Sequence, residues 1–249
     1  MNFKSEPSKI VGIIQARMGS TRLPGKVLAE IRGRPMLWRV VQRTLAAETL
    51  DEVIVATTTQ SSDDVIVSFC RDNRVGCFRG GEEDVLDRYY RAALQQKADA
   101  VVRITSDCPL IDPQIVDRVV RAFLQGDCDY ASNCMTRTYP RGLDTEVMTF
   151  QALQRAWSEA TEPFQRAHVT PYIYQNPTQF KILSVTGERD YSAYRWTVDT
   201  PEDLEFVRAV YDRLPDEKFL WDEVLRLMES EPELAEINRR IAQKAIHEG

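Results

Sequence analysis

The sequence predicts an α/β fold: three layers in which a mainly parallel sheet is covered by helices on both faces, followed by a less regular α+β second half. Three observations carry this expectation. Through the first half of the chain, short apolar runs alternate with amphipathic stretches long enough to be helices, the pattern of strand–helix–strand crossovers. A proline or a capping side chain heads several of those stretches. Finally, 249 residues with 43% apolar and 28% charged composition suffice for one large domain with a substantial core.

Ile10 to Ile14 is apolar and is followed by a segment rich in Gly, Ser and Pro, so it reads as a buried strand and a loop. Pro35, a good first-turn residue, opens a helix to about Ala47 with Leu37, Val40, Val41, Thr44 and Leu45 on one face. Val53 to Thr57 is a second strand. Ser61 with Asp64 resembles a capping box opening a helix to about Asp72, and Gly76 to Phe78 is a third, shorter strand. Asp84 to Gln95 is helical and Ala100 to Ile104 is a strand. Asp112-Pro113 supplies an N-cap and an N1 proline for a helix to Leu124.

The second half predicts strands near Tyr130 to Ser132, Thr145 to Met148, Lys181 to Val185 and Tyr194 to Thr197, with helices at Gln151 to Glu159 and Phe164 to Gln175. Thr200-Pro201-Glu202-Asp203 caps a helix to about Leu214. Two short, strongly charged helices follow from Pro215. Residues 1–214 therefore read as the main domain, and 215–249 as a helical extension packed on that domain or on a partner. Sheets of this kind bind ligands outside the carboxyl ends of their strands, which points to the loops after Ile14, Thr57 and Ile104.

Composition excludes several classes. No stretch approaches the ~18 apolar residues of a bilayer span, and the polar start from Met1 to Lys9 lacks the order of a signal peptide. A cytoplasmic protein with no membrane partner is the expectation. Five cysteines without a C-x-x-C pair and two distant histidines, His168 and His247, argue against a disulfide framework and a zinc site. A net charge of −6 argues against nucleic acid as a partner. Yet Lys9, Arg17, Arg22 and Lys26 all fall in a stretch without acidic residues, which suits a small anionic ligand.

That stretch contains ARMGSTRLPGK, Ala16 to Lys26, directly after the first strand. Its cations, hydroxyls and glycines are what a loop needs to wrap a polyphosphate, although a solvated basic loop has the same composition. It is neither a P-loop, since Gly19 and Gly25 are one residue too far apart, nor a G-x-G-x-x-G dinucleotide loop. A bound triphosphate would need a metal with oxygen ligands. Asp107 in TSDCPL and Asp199 in WTVDTPEDL are candidates, with turn formation beside Pro109 and helix capping as their alternatives. Asp127-Cys128-Asp129 has the D-x-D spacing of metal-dependent glycosyltransferases but reads as turn chemistry before a strand. His168 and Tyr172, four apart on the expected helix, share a face and either bind a polar substrate or serve the core.

With TSDCPLID, GLDTEV, HVTPYIY and RWTVDTPEDL following ARMGSTRLPGK in order, the sequence resembles the cytidylyltransferases that activate acidic sugars. The likeness is to the spore coat polysaccharide type, relatives of the enzymes making CMP-activated octulosonate and neuraminate, and it covers about residues 10 to 214. The resemblance implies a Rossmann-like sheet of the nucleotidyltransferase (GT-A-like) type and a homodimer. It implies transfer of CMP from CTP to a small acidic sugar with magnesium and release of pyrophosphate. On matching positions, Arg17, Arg22 and Lys26 would grip the triphosphate, with Ser20 and Ser106 in the same nucleotide site. Ala16, Ala56 and Thr57 would face base and ribose, and Arg88 in GGEEDVLDR would contact the nucleotide. Asp107 and Asp199 would hold magnesium, while His168, Tyr172 and the Gly142 to Glu146 segment would line the acceptor pocket. Two rivals remain: a GT-A-like glycosyltransferase using a nucleotide sugar through Asp127 and Asp129, and a non-catalytic nucleotide-binding assembly subunit.

Overall fold

The computed structural model describes residues 9–214 and 216–243. The residues before Lys9, Pro215 and the last six, with His247, lie outside the described residues. The chain builds a seven-stranded sheet in the order β5-β4-β1-β6-β8-β7-β9. Its strands are β1 (Ile10–Gln15), β4 (Glu52–Thr58), β5 (Gly76–Gly80), β6 (Ala100–Thr105), β7 (Tyr130–Ser132), β8 (Glu146–Thr149) and β9 (Ile182–Ser184). Only β8 runs against the rest, being antiparallel to both β6 and β7. A two-stranded hairpin, β2 (Glu30–Ile31) and β3 (Arg34–Pro35), stands apart from it.

Alternation along β1 explains why a continuous apolar run was required there. Ile10 and Ile14 face one core, Val11 and Ile13 the other, and all four are buried. The first face is covered by α1 (Met36–Leu45), α2 (Asp64–Asp72) and α4 (Pro113–Gln125). The second is covered by α3 (Val85–Gln95), α5 (Phe150–Glu159) and α7 (Pro171–Tyr174), while α6 (Pro163–His168) packs against α3 and α7. α1 buries Leu37, Val40, Val41 and Thr44 as expected, but Leu45, its last residue, is half exposed.

A third apolar cluster joins the hairpin to α8 (Pro201–Arg213), α9 (Trp221–Ser230) and α10 (Glu233–Glu236), with Trp196 and Phe206 fully buried in it. Buried side chains of the main sheet domain fasten this region. Arg43 donates from Nη2 to the Phe219 carbonyl at 2.9 Å and from Nε to the Ile111 carbonyl at 2.6 Å. Asp112 caps two helices at once. One oxygen takes the Gln114 and Ile115 N–H groups of α4, and the other takes Trp221 N–H at the head of α9 at 2.8 Å.

Three local expectations differ from the structure. Ser61 and Asp64 make no capping box: residues 61–63 form a 3-10 turn, and Asp63 turns its carboxylate inward to the Thr57 and Thr58 hydroxyls. The helix expected from Phe164 to Gln175 breaks after His168. Val169 sits at φ 72°, and Pro171, which has no N–H to continue the helix ladder, restarts the chain as α7. The strand expected at Tyr194 to Thr197 is an extended segment held by a single bridge between Arg141 and Arg195.

At the head of α8, Thr200 and Asp203 do form a reciprocal capping box. Thr200→Ala should cost about 1 kcal/mol, lowering the melting temperature by ~2–4 °C in a domain of this size. Thermal unfolding checks this, and an unchanged midpoint would show that the cap contributes nothing to stability.

Candidate active site

Strand order reverses between β1 and β6, so the loops leaving their carboxyl ends flank the crevice where such sheets bind ligands. The loop after β1 is shaped by its own backbone. Ala16 N–H bonds to the Ala56 carbonyl at 3.1 Å, and the buried Asp63 carboxylate takes Met18 N–H at 2.8 Å. Ser20 and Gly25 both donate back to the Met18 carbonyl, at 2.9 and 3.1 Å. Gly25, at φ 70°, makes the left-handed turn into the 3-10 turn Lys26–Leu28. Folded back in this way, the loop delivers Lys26 to the ends of two distant segments.

The Lys26 ammonium lies 2.7 Å from the Val198 carbonyl, 2.9 Å from Asp199 Oδ1 and 3.2 Å from Asp107 Oδ2. Asp199 Oδ2 in turn receives Arg22 at 3.0 Å and Arg195 at 2.8 Å. Burial alone would lower the Lys26 pKa, but the two facing carboxylates raise it above its ordinary value of 10.5. Lys26 is therefore a fixed cation at physiological pH and cannot serve as a general base. Burial would likewise raise Asp107, yet the Lys26 charge and the Thr105 hydroxyl hold it below the usual carboxylate range.

Beside this cluster opens a cavity of about 780 Å³. Its floor is a cross-strand pair, Arg103 on β6 opposite Glu146 on β8, bonded through Nη1 and Oε1. Tyr130 donates its hydroxyl to Glu146 at 2.6 Å, and Arg103 Nη2 reaches Gln15 Oε1 at 3.1 Å. Arg137 pairs with Asp144 on another wall, and the half-buried Arg141 guanidinium lines the cavity beside them. Burial and then the Arg137 charge depress Arg141.

The structure brings Lys26, Arg22, Asp107 and Asp199 into contact and places Glu146 and His168 on the adjoining cavity. Arg17 is exposed at the loop's outer side, where it meets Glu82 at 3.3 Å, and the Ser20 hydroxyl accepts Leu23 N–H. The Ala16 and Ala56 side chains belong to the core, and the Thr57 hydroxyl donates to Asp63, so none of the three turns its side chain toward the crevice. Ser106, nearly buried, ties β6 to β1 through its N–H and the Gln15 carbonyl. Arg88 is buried behind Gly80 and Gly81, with Nη1 on the Gly81 carbonyl at 3.3 Å and Nε without a partner.

Tyr172 is also displaced from its expected place. Because the helix breaks at Val169, it does not share a face with His168; its hydroxyl donates to Glu159 and its ring meets Phe180 edge-on. Thr170 and Tyr174 line the cavity instead. Asp127 and Asp129 engage the Lys181 ammonium and N–H where β7 begins, away from the cavity. Arg195, Arg103 and Arg137 were missed by sequence reasoning. Only Arg195 left a signal, standing four and eight residues before Asp199 and Asp203.

Gly142 contributes shape. It sits at φ 110°, where a Cβ would stand 2.6 Å from the Trp196 carbonyl carbon. Gly142→Ala should therefore push the Arg141 segment off its bridge to Arg195, costing ~2–3 kcal/mol. Denaturant unfolding measures that loss, and a value near zero would show that the wall yields freely.

Asp63 and Asp203 set a pH dependence. Burial would raise both, but hydrogen bonds and, for Asp203, Arg195 hold them below 3.8. A depressed carboxylate contributes stability that is complete above its unfolded pKa and is lost as pH falls through the folded one. Asp112, raised by burial, opposes this. Asp107, depressed by Lys26 against the effect of its burial, adds to the first two. With three against one, the melting temperature should drop as pH falls below about 4, and a rise there would contradict the assignment.

Comparison with known proteins agrees with this geometry. A family model described as cytidylyltransferase matches residues 11–234. A protein of Methanocaldococcus jannaschii without assigned function is 38% identical over 96% of this chain and 98% of its own length. The spore coat polysaccharide biosynthesis protein SpsF of Bacillus subtilis is 34% identical over 82% of this chain and 87% of its own. The solved structure of a cytidylyltransferase from Leptospira borgpetersenii superposes with a TM-score of 0.89 at 33% identity, covering 95% of this chain and 99% of that one. With the family model spanning the crevice, the cation cluster and the cavity together, this chain belongs to the cytidylyltransferase family and is a nucleotidyltransferase.

Proposed function

We propose that the protein transfers CMP from CTP to a small acidic sugar, with Mg2+ and release of pyrophosphate, in the supply of surface polysaccharide precursors. The observation that carries this reading is the Lys26 ammonium held between Asp107 and Asp199 at the mouth of a cavity walled by arginines. Two carboxylates that already share one cation are a donor set of the kind Mg2+ uses, since it prefers one or two carboxylates completed by phosphate and water oxygens. When bound, Mg2+ would polarise the α-phosphate.

The chain's own residues do the rest. Lys26 and Arg22 leave their carboxylates for the phosphates and offset charge on the departing pyrophosphate, with Arg17 at the loop's outer side. Arg141 and the Arg103–Glu146 floor orient an acidic, hydroxyl-rich acceptor toward the α-phosphate. Positioning and cationic stabilisation supply most of the acceleration, as phosphoryl-type transfer requires little covalent work from the protein. No helix among the described residues is long and apolar enough to cross a membrane. A cytoplasmic homodimer remains part of the proposal.

The test supplies CTP, Mg2+ and a panel of acidic sugars and measures pyrophosphate. Asp107→Asn should lower turnover about 10²–10³-fold while the protein stays folded. Turnover of a ready-made nucleotide sugar without pyrophosphate, abolished by Asp129→Asn, would favour the glycosyltransferase instead. CTP binding without any turnover would favour the non-catalytic nucleotide-binding subunit, and absence of both would overturn the proposal.

A further inference from the structure

The residues after α10 carry no motif and lie beyond the part matched by the family model, yet they reach the cavity. Asn238, 4% exposed, fastens them: its Nδ2 donates to the Arg195 carbonyl at 2.8 Å and to Asp203 Oδ1 at 2.9 Å. Five residues on, the exposed Gln243 lines the cavity, and its Oε1 accepts from Arg195 Nη1 at 2.6 Å. The same guanidinium sends Nη2 to Asp199 Oδ2 at 2.8 Å. Gln243 thus stands one guanidinium away from the carboxylate that holds Lys26.

We propose that Gln243 is an acceptor-binding residue, with its side-chain NH2 donating to an oxygen of the sugar acid in the cavity. The inference rests on the reading that the cavity takes such an acceptor. A guanidinium has donors and no acceptor, so the amide oxygen must face Arg195 and the NH2 group is turned away from it. An amide fixed by its oxygen at a cavity wall is a preorganised neutral donor, suited to a hydroxyl or carboxylate oxygen. It adds a hydrogen bond without adding charge to walls already occupied by paired arginines. Because the side chain is exposed, substitution there leaves folding intact.

Gln243→Glu keeps the length and an oxygen for the guanidinium but exchanges the NH2 for a negative charge, so it separates this role from mere support of Arg195 only together with the neutral Gln243→Ala. Gln243→Ala loses both the oxygen and the NH2. Steady-state kinetics with CTP and whichever of 3-deoxy-manno-octulosonate and N-acetylneuraminate the wild type turns over should give, in both variants, an acceptor KM raised about tenfold. The CTP KM, kcat and melting temperature should stay unchanged. A Gln243→Glu enzyme with wild-type kinetics, or a CTP KM rising in step with the acceptor KM, overturns the proposal, because either result places the residue behind Arg195 only. Failure of the wild type with both sugar acids is a separate result that overturns the underlying reading of the cavity, and this proposal with it.

Discussion

Replacing Lys26 by methionine is expected to lower CTP turnover by about 10²–10³-fold, the range for removing one preorganised charge-stabilising donor, while tightening Mg2+ binding to the nucleotide-free protein. Both effects come from one geometry. Lys26 is the cation shared by Asp107 and Asp199, so a divalent ion has to displace it before using both carboxylates. Methionine keeps the length and apolar stem but leaves Asp107 without its cationic partner, whereas Asp199 retains Arg22 and Arg195. Titrating Mg2+ by calorimetry or by thermal shift separates the two consequences. Equal Mg2+ affinity in wild type and variant would mean that the carboxylates do not act together.

Arg195→Met should have the largest effect on stability, about 3 kcal/mol, or roughly 6–12 °C in melting temperature. Asp203 is fully buried and takes two hydrogen bonds from Arg195, at 2.9 and 3.0 Å. Removing the guanidinium strands that carboxylate in the core. Asn238 and the N–H groups of Asp199 and Thr200 still reach it, which keeps the loss near the lower end of the range for a broken buried pair. Arg195→Lys should recover only part, since an ammonium cannot span Asp199 and Asp203 with one planar fork. A lysine variant as stable as wild type would reduce the bridge to simple charge balance.

Much of the fold was legible because its signals are local. Apolar runs mark the parallel strands, Pro113 and Pro201 head helices, and Asp112 and Thr200 cap them. The places where local signals misled have a common cause. Ser61 had the right spacing for a cap, but the neighbouring Asp63 is drawn inward by donors from β4 and from the first loop. The pattern around His168 and Tyr172 was helical, but one proline two residues past Val169 set the break and turned the tyrosine away. A strand is expected at Tyr194 to Thr197, yet its bridge is to the single residue Arg141.

By itself the sequence determined the layer architecture, the phosphate-sized cationic loop after the first strand, and the two aspartates worth pairing with it. These depend on composition and spacing within a few residues, which survive without coordinates. Only the tertiary structure decided which charges meet. Lys26 finds Asp107 and Asp199 from 81 and 173 residues away, and Arg195 joins Asp199, Asp203 and Gln243 at one guanidinium. Ion pairing acts through space over a few ångströms and leaves no period in the chain, so the partners of a buried charge are fixed by strand order and loop path.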